Sequence, residues 1–127
     1  MPSEHCLWKI SDAAGWKEEI QTDRNSLYAS DNKALEHLTQ LFKALGDPSR
    51  VRIIFQIFLS DACVKDIAEK LQMSEPAVSH HLRILRMNGL VKRQRNGKEI
   101  FYQLDDEHVR SILELGCEHV QEFLDTE

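Results

Sequence analysis

The segment 64–89, VKDIAEKLQMSEPAVSHHLRILRMNG, limits what this chain folds into more than any other feature of the sequence. Its apolar residues recur every three or four positions, the spacing of an amphipathic helix, in two short runs. A brief turn at Gln72 and Met73 separates the runs, and Ser74 is a good N-cap for the second one. The second run stops at Gly89, a residue type favoured just beyond helix C-termini. Two short helices joined this closely predict a helix-turn-helix.

A β-hairpin is predicted directly after these helices. Residues 90–104, LVKRQRNGKEIFYQL, contain two β-favouring runs on either side of Asn96-Gly97. Asn-Gly is a strong hairpin signal, because both central residues of a type I′ turn need a positive φ. A helix-turn-helix followed by a hairpin is a winged helix. The predicted fold class is therefore mainly α with a small β-hairpin, a winged helix-turn-helix.

The rest of the chain divides into an N-terminal arm and flanking helices. Residues 1–30 show no clean period, and we interpret them as an arm, whereas residues 31–127 form the predicted winged helix-turn-helix domain. A helix from about residue 31 ends near Gly46, and Asp47-Pro48 supplies an N-cap and a first-turn proline for the next helix. A last helix from Asp106 to Leu124 carries a broad apolar stripe. A chain of 127 residues suffices for one ordinary domain with one core.

The net charge of −5 conceals two regions of opposite sign. Residues 76–103 carry six basic side chains against Glu99, whereas residues 104–127 carry eight carboxylates against Arg110. This asymmetry indicates a basic working surface and an acidic tail, although a charge run is also often only a solvated face.

Composition also excludes several classes of protein. No apolar run approaches the roughly 20 residues that cross a bilayer, so no membrane partner is expected. The N-terminus lacks the pattern of a secretory signal, and we expect a cytoplasmic protein. The three cysteines are odd in number and widely spaced, which favours reduced thiols or metal ligands over a disulfide framework.

The second helix of the helix-turn-helix has one face suited to nucleic acid. A helical wheel with Val78, Leu82 and Leu85 inward places polar and basic side chains outward, and puts His81 nearer the buried flank. Hydroxyl, imidazole and guanidinium groups hydrogen-bond base edges and phosphates, and the hairpin tip adds further cations. The predicted DNA-binding residues are Ser74, Ser79, His80, Arg83, Arg86, Arg93, Arg95 and Lys98.

Three segments, ALGDPSRVRI, SEPAVSHHLRILRMNGLV and NGKEIFYQL, resemble the ArsR/SmtB family of metal-sensing repressors. The resemblance runs from about Leu38 to Leu124. The apolar stripe of the last helix gives two copies a reason to associate, so we expect a homodimer through the terminal helices. The resemblance implies a homodimeric winged-helix repressor that leaves double-stranded operator DNA when metal binds. It also implies that Ser79, His80 and Arg83 lie on a recognition helix and that residues 95–98 lie on the wing.

The last helix carries a candidate metal site. His119 and Glu122 are three residues apart and share a helical face, and His108 shares that face as well. The axial separation of His108 and His119 is roughly 16 Å, too far for both to bind one ion within one chain. Two antiparallel copies of the helix would bring Asp106 and His108 of one chain to His119 and Glu122 of the other, making two sites per dimer.

The donor set of two imidazoles and two carboxylates suits regulatory Zn²⁺, with Co²⁺ as a substitute and Ni²⁺ needing extra ligands. Histidines scattered on a helix are also ordinary surface residues. The spacing matches the zinc-sensing branch of the family, whose last-helix ligands follow D-x-H-x₁₀-H-x₂-E. Asp106 is expected at or before the start of the helix.

A second, weaker metal site involves Cys63 and Asp66, completed by Cys6 and His5 from the arm. It resembles the family's other site, where sensors of cadmium, lead and arsenic carry Cys-x-Cys. Lys65 stands at the third position here, which argues against a soft-metal sensor. Cys63 as a plain core residue fits equally well, and we expect Cys117 to pack in the apolar sector of the last helix.

These observations predict a metal-responsive repressor rather than an enzyme. The alternative within regulation is a response to another inducer: nickel or cobalt, cadmium, lead or arsenite, or oxidation through Cys6 and Cys63. A zinc hydrolase would need an open coordination position in a pocket, and the inferred site is closed at a dimer seam. A winged helix used only for protein interaction is a third alternative. No small organic substrate is expected.

Overall fold

The computed structural model describes residues 32–126. The predicted N-terminal arm, with His5 and Cys6, lies outside this range. The fold divides between Thr39 and Gln40, and the core and surfaces below belong to the unit that begins at Gln40. The elements are α1 (Asn32–Leu45), α2 (Pro48–Leu59), α3 (Val64–Leu71), α4 (Glu75–Met87), β1 (Val91–Asn96), β2 (Glu99–Leu104) and α5 (Glu107–Asp125).

Side-chain caps fix the starts of three helices, because the first N–H groups of a helix have no partner within it. A carboxylate oxygen of Asp47 accepts from the Arg50 N–H at 3.1 Å, and Pro48 follows in the first turn of α2. The Ser74 hydroxyl oxygen accepts from the Ala77 N–H at 3.2 Å and caps α4. Asp106 is the N-cap of α5, as the sequence predicts.

The predicted helix-turn-helix is confirmed. Gln72 ends α3 in the left-handed conformation, with φ 56°, and the Met73 N–H closes the turn on the Ala68 carbonyl at 3.0 Å. Two residues later α4 begins, and it ends at Met87 ahead of Gly89, whose φ is +72°. The inward side chains of the two helices are buried together: Ile67, Ala68, Val78, Leu82 and Leu85.

The hairpin is confirmed, but its turn is not the one expected. The strands pair antiparallel from Val91 opposite Leu104 to Asn96 opposite Glu99, so the two loop residues are Gly97 and Lys98. Gly97 has φ +69°, and among residues 32–126 the only non-glycine with a positive φ is Gln72. The prediction of a type I′ turn centred on Asn96-Gly97 is therefore wrong. Asn96 stays in the strand, and a glycine at the first loop position is the pattern of a type II′ turn.

The wing is held to the helical body by the connection between α2 and α3. The Tyr102 N–H donates to the Ala62 carbonyl at 2.8 Å, and the Ala62 N–H donates to the Tyr102 carbonyl at 3.3 Å. Beside this bridge the Gln103 amide donates to a carboxylate oxygen of Asp61 at 2.8 Å. The hairpin is thus tied to the residues that lead into α3.

One apolar core joins the helices to the wing. Its fully buried side chains come from α2, α3, α4 and the start of β1: Ile53, Ile54, Ile57, Ile67, Val78, Leu82, Leu85, Leu90 and Val91. Val109 and Leu113 add the first half of α5 to this core. No helix within residues 32–126 is both long and apolar enough to cross a membrane. The architecture is the predicted winged helix-turn-helix.

Candidate functional site

The outward face of α4 is presented as the helical wheel predicts. Ser79, His80 and Arg83 are exposed on the side opposite the buried Val78, Leu82 and Leu85. Arg86, predicted to face outward, is half-buried near the end of the helix. A hydroxyl, an imidazole and a guanidinium are therefore available along the first three turns of α4, with the helix fixed from behind by the core.

His81, next to this face, has a structural contact that the sequence pattern does not reveal. Arg50 donates to the Ala44 carbonyl at 2.8 Å, and its other end lies 3.4 Å from Nδ1 of His81. Burial lowers the pKa of His81, and the Arg50 charge acts in the same direction, while Asp47 opposes them. Through Arg50, His81 on α4 is thus linked to the start of α2 and the end of α1.

The wing extends the basic surface beyond α4. Arg93 and Arg95 are two residues apart on β1 and therefore project from the same side of the hairpin, and Lys98 lies in the turn. All three are exposed. Neither they nor Arg83 form an ion pair within the part of the chain that the structure describes. Unpaired cations on adjacent elements attract a polyanion.

Ser74 was predicted both to cap α4 and to bind DNA, and the structure shows it as the cap. Its hydroxyl oxygen accepts the Ala77 N–H as the α4 cap, and its own proton remains available for donation. Its predicted contact with DNA stays a prediction.

At the start of α5 the structure brings two predicted metal ligands together. Nδ1 of His108 lies 3.4 Å from Oδ2 of Asp106, and the other oxygen, Oδ1, accepts from the Val109 N–H at 3.1 Å. The Val109 N–H lowers the pKa of Asp106, and the hydrogen bond with His108 lowers it further. The His108 side chain is 93% exposed and that of Asp106 is 49% exposed. An ionised carboxylate and an accessible imidazole fit the chemistry of a divalent-metal donor pair.

The other two predicted ligands lie farther along the same helix. His119 and Glu122 are exposed near the C-terminal end of α5. Since α5 runs without interruption, the eleven residues between His108 and His119 span roughly 16 Å. Within residues 32–126 of a single chain no three potential ligand side chains gather into a metal-binding group. A site that uses both ends of α5 therefore requires a second chain, and it stays a prediction.

The second predicted metal site is described only in part. Cys63 is half-buried at the N-cap of α3 without a side-chain capping bond, and Asp66 is exposed one turn later. Both line a groove of about 580 Å³ between α3 and the wing, together with Glu69 and Glu99. Its remaining proposed ligands, Cys6 and His5, lie outside the described residues.

Cys117 differs from its prediction. We expected it to pack in the apolar sector of the last helix, but it is exposed in the single chain. It lines an apolar groove of about 590 Å³ between α5 and the segment from Leu45 to Phe55, because only the Leu113 side of this helix reaches the core.

A helix-turn-helix with an exposed polar and basic second helix, followed by a basic wing, defines the class of winged helix-turn-helix regulators. Residues 47–93 match the family described as "Bacterial regulatory protein, arsR family". The chain is 41% identical over 87 residues to a transcriptional repressor SmtB homologue of Synechocystis, covering 68% of this chain and 66% of that one. It is 40% identical over 86 residues to a cadmium resistance regulatory protein CadC homologue of Staphylococcus aureus, covering 67% and 71%. The chain belongs to the arsR family, and the resemblance inferred from its motifs is confirmed.

A solved structure has the same fold. The winged helix-turn-helix DNA-binding domain of a possible ArsR-family regulator from Mycobacterium bovis, described as homodimeric, matches with a TM-score of 0.74. The two are 24% identical, and the match covers 78% of this chain and 92% of that one. Its likeness supports the fold assignment. The match to the Synechocystis relative spans slightly less than two thirds of that protein's length. Family membership places the chain among transcriptional regulators rather than in a family of enzymes.

Proposed function

We propose that this protein is a homodimeric transcriptional repressor that binds operator DNA through α4 and the wing. Zn²⁺ binding between the α5 helices of the two chains releases the DNA. The observation that carries the proposal is the outward face of α4, Ser79, His80 and Arg83, exposed beside the unpaired cations of the wing. A regulator of this kind works where the chromosome lies, so we assign it to the cytoplasm.

Two elements divide the recognition of DNA. α4 has the dimensions to enter a major groove, where its arginine and polar side chains meet base edges. Arg93, Arg95 and Lys98 extend from the hairpin and suit phosphates or a minor groove. In a two-fold dimer the two α4 helices meet half-sites about one DNA turn apart, roughly 34 Å, so the operator is a pseudo-palindrome.

Exposed apolar side chains support the dimer. Several large apolar side chains of α5 are exposed in the single chain, and so is one near the end of α1: Ile112, Val120, Phe123, Leu124 and Phe42. Phe123 is 60% and Phe42 57% exposed. Exposed large apolar side chains that recur along one helix mark a candidate interaction site. A second copy that packs α5 against α5 would cover these side chains, and the Mycobacterium bovis neighbour is described as homodimeric.

The same antiparallel pairing completes the metal site. Asp106 and His108 at one end of α5 already lie together, and the other end of the partner's helix supplies an imidazole and a carboxylate. Zn²⁺ bound there links the two chains and favours one arrangement of the two α4 helices. Metal and DNA must weaken each other by the same factor, since allosteric coupling is reciprocal.

The test is operator binding by fluorescence anisotropy, with and without Zn²⁺, on DNA from the region upstream of the protein's own gene. We expect His108→Ala and His119→Ala to bind operator as the wild type does and to lose the zinc effect. His37→Ala is the matched control, since His37 is also an exposed helical histidine but lies on α1. Normal release of DNA by the two α5 variants would exclude this site, and weak binding by all proteins would exclude operator recognition.

Another inducer is the second candidate, because one relative is named for cadmium resistance and the groove beside α3 contains Cys63. Lys65 and the oxygen-and-nitrogen donor set on α5 favour Zn²⁺ over thiophilic metals. Titration of the operator complex with Zn²⁺, Co²⁺, Ni²⁺ and Cd²⁺ distinguishes these inducers. Loss of a Cd²⁺ response in Cys63→Ser, with the Zn²⁺ response intact, would assign the two responses to separate sites. Loss of release by an oxidant in Cys63→Ser would indicate redox sensing.

A further inference from the structure

Arg110 connects the start of α5 to the end of α2. It follows Asp106 by four residues and His108 by two, and its own N–H donates to the Asp106 carbonyl at 3.4 Å. Its guanidinium carbon lies 4.5 Å from the centroid of the Phe58 ring, within the range of a cation–π contact. Its Nη2 also donates to the Phe58 carbonyl at 3.5 Å. One half-buried side chain thus engages both the ring and the backbone of Phe58.

A positive charge is favourable at the C-terminal end of α2. The last carbonyls of a helix have no partner within it, and positive charge is favourable there. α2 has no basic residue in its own last turn, and its capping N–H, from Ser60, is used by the Gln56 carbonyl. The Arg110 guanidinium therefore lies where a positive charge stabilises the end of α2.

The residues after Phe58 lead directly to the DNA-reading elements. Asp61 accepts from Gln103 on β2, Ala62 pairs with Tyr102 on the same strand, and α3 begins two residues later. A shift at the end of α2 must therefore move the wing and the entry to the helix-turn-helix together.

We propose that Arg110 is a positioning residue that transmits the state of the Asp106 and His108 end of α5 to the wing and the helix-turn-helix. The inference rests on the proposed function and adds the route by which the metal site acts on DNA binding. Arg110 makes a charged contact from α5 to α2 within about one turn of the ligand pair, and its partner Phe58 lies three residues before Asp61, where the segment that holds the wing begins.

The experiment compares wild type with Arg110→Met, which keeps the apolar stem and removes the charge. The measured quantity is the ratio of operator Kd with Zn²⁺ to operator Kd without it. We expect this ratio to fall by about 2- to 30-fold, the range for substitutions along a coupling route, with the Kd for Zn²⁺ itself close to wild type. Arg110→Lys, which keeps a cation without the planar group, is expected to lie between the two.

A second measurement needs no metal. Without Arg110 the end of α2 is held less firmly, so the Tyr102 amide, which donates to Ala62, is expected to exchange its hydrogen faster in the metal-free protein. Arg52→Met is the matched control, because Arg52 donates in the same way to a carbonyl at the end of a helix, Leu71 of α3, at 3.1 Å. Within residues 32–126 it forms no hydrogen bond or ion pair with α5. The Arg52→Met variant is expected to keep the zinc ratio of the wild type.

The outcomes separate the inference from the proposed function. A normal wild-type ratio that Arg110→Met leaves unchanged overturns the role of Arg110 alone. A wild-type ratio of one overturns the proposed function together with this inference. An equal loss in Arg52→Met also overturns the inference, since it would assign the effect to general loosening. If Arg110→Met fails to fold, Phe58→Leu removes the ring, keeps the carbonyl, and must lower the ratio.

Discussion

Replacement of Arg95 by glutamine tests how the wing meets DNA. Arg95 is exposed near the end of β1, opposite Ile100, and forms no ion pair within residues 32–126. Glutamine keeps a polar side chain in the strand and removes the charge. Because the side chain has no partner to lose within the described chain, the stability of the fold is expected to change by less than about 0.5 kcal/mol. Any large effect on operator binding then reports a contact with DNA.

The magnitude follows from counterion release. Each phosphate contact contributes about −0.9 to the slope of log K against log salt concentration. The proposed dimer carries Arg95 twice, so the variant loses two contacts and its slope is less steep by about 1.8. Between about 50 and about 200 mM salt, a fourfold rise, the gap in affinity between wild type and variant narrows by about tenfold. If only one Arg95 of the dimer contacts a phosphate, the affinity gap narrows by only about threefold to fourfold.

The assay is operator binding by anisotropy at several salt concentrations, on the wild type and two variants. Lys43→Gln is the matched control, since Lys43 is an exposed cation in the last turn of α1 and belongs neither to α4 nor to the wing. It is expected to keep the wild-type slope. An Arg95→Gln slope equal to that of wild type would refute the wing contact. A change in slope of about 0.9 would refute a contact from both Arg95 side chains of the dimer. An equal change in slope in Lys43→Gln would show that the effect comes from net charge alone.

Three further predictions concern the scaffold. Leu82→Ala, at a fully buried position of α4, lowers the free energy of unfolding by about 2–5 kcal/mol in urea denaturation, and a loss below about 1 kcal/mol contradicts the packing. Gly97→Ala lowers it by about 1–2 kcal/mol because φ is +69°, and an unchanged midpoint contradicts the turn. His81 has a lowered pKa, so its contribution to stability is present above its unfolded pKa of about 6.5 and is lost as the pH falls through the folded value. His81→Asn should flatten that part of the pH dependence of Tm, and an unaltered profile contradicts the assignment.

The helix-turn-helix was predictable because its signals are local. The N-caps at Asp47 and Ser74 and the three-to-four-residue spacing of apolar side chains each depend on a few neighbouring residues. The outward face of α4 was predictable from the same spacing, because the positions of the apolar residues on a helix determine which residues lie on the opposite side. The hairpin was also found, but its turn was placed one residue too early. Asn96-Gly97 suits a type I′ turn in isolation, whereas the observed strand register leaves Asn96 opposite Glu99 and places Gly97 first in the loop.

The contacts that join the elements were not predictable from one sequence. Arg50 with His81 and Arg110 with Phe58 are 31 and 52 residues apart, and no spacing rule connects such pairs. From sequence alone, an arginine in an amphipathic helix is predicted to be solvated, because the helix that it contacts is not known. Arg110 is half-buried and α2 has no basic residue in its last turn. Only the two observations together indicate that Arg110 interacts with the end of α2.

The proposed metal site lies between these two cases. Its composition is local, since Asp106 and His108 are two residues apart and come together at a helix start, as the pattern requires. Its completion is not local, because an uninterrupted α5 holds His119 roughly 16 Å away from His108. A rigid helix that carries half of a donor set at each end cannot close on itself, whatever its side-chain rotamers. Ile112, between the two donor pairs, and Val120, next to His119, are exposed in the single chain, so the surface proposed to bring two copies together lies beside the proposed donors. In the proposed dimer, association through α5 and completion of the metal site are one event, so a substitution such as Val120→Asp is expected to weaken dimer formation and zinc affinity together.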